Sequence, residues 1–263
     1  MSKGNLNFKD FLCINNKFLI YSLVVRNLKI KYRKSFLGIL WTMLIPAANA
    51  LVYGVVFKYI MKVQIPNYLI FLLSGLLPWT FFSTTLINGM ESLVANHSVL
   101  NKVPISAFTF VLAETLTAFT NFFLSLPIFF VMFFIYGIDF NLYIAIVPFA
   151  IFLLLVQAYG LSVILAYAFV YFRDLRFLFS IIIQIWFYLT PILYSAKMIP
   201  EKLQPLTWLN PVAVIFHIFH ASIGSDGISN PYLYILPIIW TFIIIFIAFL
   251  VMKRFNEEVV ESL

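Results

Sequence analysis

The sequence predicts an all-α integral membrane protein with six transmembrane helices, and three observations lead to this prediction. Of the 263 residues, 63% are hydrophobic and only 10% are charged, whereas soluble domains contain about 25% charged residues. Several uncharged runs reach the roughly 20 residues that a helix needs to cross a bilayer. These runs lack the alternation of apolar and polar residues that marks a membrane β-barrel.

The predicted spans are the long stretches between successive charged positions, and only the third contains a charge, that of Glu114. They cover residues 35–57, 63–90, 103–138, 140–172, 177–196 and 227–252. The whole chain is expected to form one transmembrane domain, with residues 1–34 as an interface helix, 35–253 as the six-span bundle and 254–263 as a tail.

The distribution of positive charge predicts the orientation of the chain. Six spans put both termini on one side, and that side would hold 13 of the 17 lysines and arginines. Because cytoplasmic loops carry the excess of Lys and Arg, both termini are predicted to be cytoplasmic.

The segment of residues 203–225 is also uncharged and long enough to be counted as a seventh span. Pro205 and Pro211 would interrupt a long helix, and polar residues are scattered through it. We therefore predict two short re-entrant helices between spans five and six, rather than a seventh span. Such backbone is tolerated only against protein or beside a water-filled cavity.

An amphipathic helix is predicted ahead of the first span. Its apolar residues recur at spacings of three and four: Phe11, Ile14, Phe18, Tyr21, Val25, Leu28 and Tyr32. Arg26, Lys29 and Arg33 fall on the far side. A helix with a cationic face lies in the membrane interface, although a simple positively charged anchor remains the alternative.

Polar side chains recur at helical spacing in the first five spans, whereas the sixth has only Thr241. Lipid offers such groups no partners, so they should face protein or water. Hydrogen bonding between helices is the alternative for any single residue. The candidates for lining a passage are Trp41, Asn49, Tyr53, Asn88, Gln184 and Tyr188.

The sequence lacks the motifs of several kinds of chemistry. It has no GxxxxGK[ST] loop for nucleotide phosphates and no acid pair with the spacing of a metal-dependent transferase. His217 and His220 share a helical face but have no third metal ligand nearby. The chain is predicted to be a conduit rather than an enzyme, without a cofactor or metal of its own.

Four stretches together resemble the type-2 ABC exporter permeases, which move polysaccharides, O-antigens and teichoic acids. They are RNLKIKYRKSFLGILWTMLIP from Arg26, LLSGLLPWTFFSTTLINGMESLVANHSVLNKVP from Leu72, YFRDLR from Tyr171 and YLTPILYSAKMIPEKLQPLTWLNPV from Tyr188. The resemblance covers nearly the whole chain. It departs from the family pattern at Asn27, where Asp is usual, and at residues 105–107, where an aromatic-proline-arginine element is common.

The resemblance implies a homodimeric half-transporter that works with two copies of a separate ATPase subunit, which bind ATP and Mg. The helix that couples to this ATPase would comprise Asn96, His97, Ser98, Val99, Leu100, Asn101, Lys102 and Val103. The outer gate would contain Pro205, Trp208, Pro211 and His217. The implied substrate is a glycan on undecaprenyl diphosphate, and the cations at its diphosphate would be Arg26, Lys29, Lys31 and Arg33.

Other functions remain open at this point. The implied location is the bacterial cytoplasmic membrane, with O-antigen favoured as substrate and no nucleic-acid partner. Export of teichoic acid or capsular polysaccharide by the same architecture is the main alternative. A proton-coupled carrier that uses Glu91 and Glu114, or a membrane enzyme acting on lipid-linked sugars, is further from the sequence pattern.

Overall fold

The computed structural model describes residues 16–100, 106–139, 141–224 and 231–262, and contains no β-strand in those ranges. The expectations for Phe11, Ile14, Asn101, Lys102 and Val103 lie outside the described residues. The helices, numbered in chain order, are α1 (Lys17–Tyr32), α2 (Trp41–Gly54, extended by a π-helical turn at Val55–Ile60), α3 (Tyr68–Ala95), α4 (His97–Leu100), α5 (Phe108–Ile135), α6 (Leu142–Tyr171), α7 (Leu175–Leu189), α8 (Gln204–Trp208), α9 (Ala213–Ser222) and α10 (Leu236–Ser262).

Five of the six predicted spans are confirmed as apolar helical segments long enough to cross a membrane. They are Gly38–Ile60, Tyr68–Ala95, Phe108–Ile135, Leu142–Tyr171 and Tyr232–Arg254.

The remaining predicted span, residues 177–196, contains a shorter helix than expected. Helix α7 has 15 residues, which gives a length of about 22 Å, less than the roughly 30 Å of a bilayer core. It ends because Pro191 follows Thr190, whose backbone is extended, as residues before proline usually are.

Two clusters of buried apolar side chains hold the helices together, and the smaller one lies at one end of the bundle. The smaller cluster joins Ile20 of α1 to Leu93, Leu100, Phe108 and Met252. It therefore collects α1, α4, the start of α5 and the later part of α10 at one end, which we call the α1 end. The larger cluster contains the first half of α3 together with α9, and we call its end the α9 end.

Helix α3 is the central helix, and glycines allow its neighbours to approach closely. A Cβ atom on Gly89 would lie 2.6 Å from the Cβ atom of Ser162 in α6. The Ser162 hydroxyl donates to the backbone carbonyl of Thr85 at 3.0 Å. Small residues at such crossings are typical of packed membrane helices, because packing rather than hydrophobicity drives their association.

Gln157 and Gly160 of α6 pack against the last helix. The Gln157 amide nitrogen donates to the carbonyl of Pro237 and to the hydroxyl of Thr241, both at 3.0 Å. A Cβ atom on Gly160 would lie 2.8 Å from Ile244. Hydrogen bonding between helices therefore accounts for Gln157 and Ser162 in this span.

The two short helices predicted between spans five and six are present as α8 and α9, and α9 is deeply buried. His220 stacks on Phe71 with ring centroids 3.8 Å apart. Its ring nitrogens lie 2.9 Å from the Ser74 hydroxyl and 3.0 Å from the Pro191 carbonyl. The Asn141 amide donates to the last carbonyls of α9. Helix α9 therefore has the protein contacts that non-spanning backbone needs inside a membrane.

The Gly89–Ser162 crossing gives a first prediction. Gly89→Ala should force α3 and α6 apart and destabilise the protein by about 1–3 kcal/mol, which lowers the thermal midpoint by roughly 2–12 °C. The midpoint can be measured by heating purified protein in detergent and quantifying the surviving monodisperse fraction.

Gly54→Ala is the matched control, because the nearest atoms to its added Cβ are leucine side-chain tips 3.9 Å away. It should leave the midpoint unchanged or raise it slightly. Equal midpoints for the two variants would contradict the close crossing of α3 and α6.

Candidate functional site

Helices α2 and α7 are the most exposed long helices, and they carry most of the predicted passage residues. Of the six candidates, Tyr53 is half-buried, whereas the exposed ones are Trp41, Asn49, Asn88, Gln184 and Tyr188. Amide side chains on an otherwise apolar surface would be unfavourable if they met lipid. This surface therefore has the composition of one that faces protein or water.

A polar stripe on α3 lies between the starts of α2 and α7. Thr80 and Thr84 line a cavity beside the first turn of α2. Farther along the stripe, Glu91 forms a salt bridge with Arg176 of α7, and its Oε1 atom lies 3.0 Å from the Arg176 Nε atom. We call this surface the α2–α3–α7 face.

Aromatic rings close this face towards the α9 end. Tyr53 of α2 lies 6.1 Å from Phe187 of α7, measured between ring centroids. Trp79 of α3 lies 5.6 Å from Phe187 and 6.0 Å from Phe216 of α9. The end of α7 is thus packed against α2, α3 and α9 through aromatic contacts.

Asn210 connects α7 to the segment between α8 and α9, and the sequence analysis did not select it. It accepts from the Trp186 indole at 3.0 Å and donates to the Thr190 hydroxyl at 2.8 Å. Its oxygen also accepts from the backbone of Val212, an Asx-type turn that the Asn-Pro dipeptide indicates.

The residues predicted for the gate surround this connection. Pro205 is in the first turn of α8 and Pro211 follows Asn210. The Trp208 ring of α8 lies 6.3 Å from the His217 ring of α9.

Helix α1 is fastened to the bundle by four polar contacts. Asn16 donates to Thr109 at 3.1 Å, Asn27 to Glu114 at 2.8 Å and Tyr32 to Asn121 at 2.5 Å. Arg26 donates to Asn96 at 3.1 Å. Later residues of α1 pair with later residues of α5, so the two helices run in the same direction. Tyr32 therefore reaches a level about 20 Å along α5 from its first residue.

The apolar residues of α1 lie on more than one face. Ile20 and Leu23 are buried against the bundle, whereas Phe18 and Tyr21 of the predicted stripe are 84% and 68% exposed. The predicted stripe therefore faces outward at Phe18 and Tyr21, whereas Tyr32, its last member, reaches Asn121 of α5. An outward apolar face is compatible with contact to lipid.

The four predicted cations of α1 fall into two different places. Arg26, Lys29 and Arg33 line an open groove of about 920 Å³, which we call the basic groove. Lys31 instead borders the cavity beside α2, which encloses about 110 Å³ between α1, α2, α3 and α5. We call it the Tyr32 cavity, because Tyr32 lines both it and the basic groove.

The electrostatics of the two residues at this boundary differ. Burial lowers the pKa of the Lys31 ammonium, and the nearby Glu114 raises it. Burial raises the pKa of the Tyr32 phenol, so the hydroxyl stays protonated at neutral pH and can donate to Asn121.

The predicted coupling segment begins at the end of α3. The Asn96 side chain donates to the carbonyl of Ser92 at 2.8 Å and accepts from Arg26. In α4, Leu100 is only 7% exposed and packs in the smaller cluster, so it fastens the segment to the bundle. Ser98 is the exposed residue of α4, and His97 and Val99 are half-buried.

Comparison with known proteins identifies the family. The model of the ABC-2 type transporter family matches residues 19–224. The chain belongs to this family. It is also similar to the O-antigen export system permease protein RfbA of Klebsiella pneumoniae, with 34% identity over 74% of this chain and 76% of that protein.

Two further relatives come from other bacteria. RfbA of Myxococcus xanthus is 38% identical over 70% of this chain and 71% of its own length. The polysialic acid transport protein KpsM of Escherichia coli is 30% identical over 38% of this chain and 40% of its own. With its long apolar helices, this ABC-2 transporter chain is a multi-pass inner-membrane transport subunit.

The two acidic residues considered for a proton carrier both have partners at the α1 end of the ABC-2 subunit. Glu91 pairs with Arg176, and Glu114 accepts from Asn27. The partner of Glu114 lies on α1 and not on a neighbouring span. Since both acids are near the same end, they do not form a path of proton acceptors along the spans.

The Asn27–Glu114 contact gives a second prediction. Glu114→Gln should behave like the unmodified protein, because the glutamine oxygen still accepts from Asn27. Glu114→Leu leaves that amide unpaired and should destabilise the attachment of α1 by about 1–3 kcal/mol. Hydrogen exchange of α1 and transport activity are the two measurements.

The glutamine variant also separates the two transport mechanisms. Loss of transport in Glu114→Gln, with unchanged hydrogen exchange in α1, would show that the carboxyl group itself is required. That result would favour the proton-coupled carrier.

Proposed function

We propose that the chain is the permease subunit of an ATP-driven exporter that moves a lipid-diphosphate-linked polysaccharide across the bacterial inner membrane. The α2–α3–α7 face is the structural observation that carries this proposal, because it presents amide and aromatic side chains on otherwise apolar helices. Aromatic rings can pack on the C–H faces of sugars while amides bond to their hydroxyls. O-antigen is the favoured substrate, since the relatives that match most of the chain are named for its export.

Export of capsular polysaccharide is the second candidate function. The observation in its favour is the similarity to a polysialic acid transport protein, although that similarity covers only 38% of the chain. Teichoic acid export by the same architecture would use the same surfaces.

A second copy of the chain is proposed to cover the α2–α3–α7 face. Asn49 and Gln184 are exposed in the single chain, and lipid would leave their amides without partners. A homodimer with a polar passage between the copies would provide those partners and leave the apolar remainder of the surface to lipid.

The energy is proposed to come from two copies of a separate ATPase subunit, which bind ATP and Mg. The sequence of this chain contains no phosphate-binding loop. Helix α4 presents Ser98 at the α1 end and would dock on the ATPase. The Arg26–Asn96 contact joins the basic groove to the start of this segment. Ligand binding at Arg26 would therefore act directly on the segment that docks on the ATPase.

The proposed topology has six spans and cytoplasmic termini. In it α7, together with the irregular segment after it, forms the fifth span, while α8 and α9 remain in the outer half of the membrane as a gate. The α1 end carries most of the positive charge, in agreement with a cytoplasmic location.

The basic groove gives a third prediction, which tests the diphosphate-linked substrate. Lys29→Gln with Arg33→Gln should reduce export at least about tenfold, because hydrogen bonds to charged groups are among the strongest. Arg26 is left in place because it also bonds to Asn96. Surface polysaccharide and the lipid-linked precursor retained inside the cell are the quantities to measure.

The control for this variant is Lys58→Gln with Lys62→Gln, which removes two positive charges near the other end of α2. It should leave export close to normal. Equal export by both double variants would count against recognition of a diphosphate by α1.

The topology gives a fourth prediction. In a Cys13→Ser background, which removes the only cysteine, single cysteines are introduced as Ser98→Cys, Lys197→Cys and Ser229→Cys. A membrane-impermeant maleimide applied from outside should label positions 197 and 229 but not position 98. Labelling of position 229 only from the cytoplasm would mean that α8 and α9 belong to a seventh crossing.

A further inference from the structure

We propose that the Tyr32 cavity is a binding site for one pyranose ring, the first sugar of the lipid-diphosphate-linked glycan. This inference rests on the proposed function, because it takes such a glycan as the substrate. It adds a sugar subsite on each permease chain, in the cavity where the α2–α3–α7 face borders α1.

The position of the cavity is the first support for this proposal. The first sugar is bonded directly to the diphosphate, so its site must adjoin the site of the phosphates. Tyr32 lines both the Tyr32 cavity and the basic groove. The Lys31 ammonium lies 5.6 Å from the Tyr32 ring centroid, which places a hydrogen-bond donor beside this shared wall.

The hydrogen-bonding character of the cavity favours a ligand with many donors. The hydroxyls of Thr42, Thr80 and Ser125 each donate to a backbone carbonyl of their own helical turn, at 2.6–2.7 Å. A hydroxyl has one proton and two acceptor lone pairs. The three hydroxyl oxygens can therefore only accept further hydrogen bonds, and the hydroxyls of a sugar can donate them.

The same character argues against other headgroup components. A phosphate could accept from the Lys31 ammonium, but its ionised oxygens have no proton to donate to the three hydroxyl acceptors of Thr42, Thr80 and Ser125. A lipid ammonium group is a donor, but the Lys31 ammonium at the cavity would repel it. A neutral, hydroxyl-rich ring avoids both conflicts.

The size and walls of the cavity limit the ligand to a single ring. Its volume of about 110 Å³ is below the roughly 300–1,000 Å³ of pockets that hold drug-sized molecules. Trp41, Phe81 and Phe122 contribute aromatic surface to it. Their electron-rich ring faces suit the C–H groups of a pyranose.

The test compares probes that differ only by a sugar. Full-length permease in lipid nanodiscs is titrated with farnesyl diphosphate and with farnesyl diphosphate carrying one N-acetylglucosamine, glucose or galactose, and binding is measured by calorimetry. At least one glycosylated probe should bind about tenfold more tightly than farnesyl diphosphate, as two or three net hydrogen bonds would produce.

Paired variants locate the sugar contacts. Thr80→Val with Thr84→Val removes two hydroxyls of the cavity and should bring the affinity ratio of glycosylated to plain probe close to one. The serine double variant, Thr80→Ser with Thr84→Ser, should restore the ratio. Thr120→Val is the matched control, because its hydroxyl makes the same kind of backbone bond at 2.8 Å but does not line the cavity.

Two results would overturn the inference. One is tight binding of farnesyl diphosphate with no gain from any of the three sugars. The other is a sugar gain that persists in the valine double variant. Absence of farnesyl diphosphate binding, or binding that Lys29→Gln with Arg33→Gln does not weaken, would instead refute the diphosphate site of the proposed function, and the inference with it.

Discussion

The shortage of hydrogen-bond partners in lipid is the constraint on which the rest of this structure depends. Inside the bundle, hydroxyls such as that of Thr85 bond to the preceding turn, Gln157 bonds to α10 and His220 lies between Ser74 and Pro191. The polar groups that remain exposed are concentrated on one side, along α2, α3 and α7. The same constraint therefore distinguishes the helices that only pack together from the surface that needs a further partner.

Helix α3 makes close contacts with other segments both near its start and near its end. Near its start, Gly75 allows the chain after α7 and the His220 ring to approach to about 3 Å of where a Cβ atom would be. Near its end, Gly89 admits α6, and Asn96 receives the Arg26 side chain of α1. One helix thus contacts the segment at the α9 end and the predicted coupling segment at the α1 end. A displacement of either segment relative to α3 would change contacts that reach across the whole bundle.

Much of the fold could be predicted because its signals are local. Long uncharged runs identify spans, and prolines identify the interruptions around α8 and α9. The division of the four cations of α1 could not be predicted in the same way. It depends on which side of α1 packs on α5. Both Ile20 and Phe18 are apolar, and the spacing of apolar residues pointed to the side with Phe18, which is exposed in the structure. Asn210 was missed because its partners in α7 are recognisable only once the chain has turned back.

The contact between Asn27 and Glu114 favours one order of substitution at these two positions. An amide donates to a carboxyl group here, and the double substitution Asn27→Asp with Glu114→Gln would reverse the pair while keeping a bond of the same kind. If Asn27→Asp occurs first, two carboxyl groups meet at hydrogen-bond distance and repel each other unless one holds a proton. If Glu114→Gln occurs first, the single intermediate, with two amide side chains, keeps a donor and an acceptor. A change at position 114 before the change at position 27 therefore avoids a pair of facing carboxyl groups.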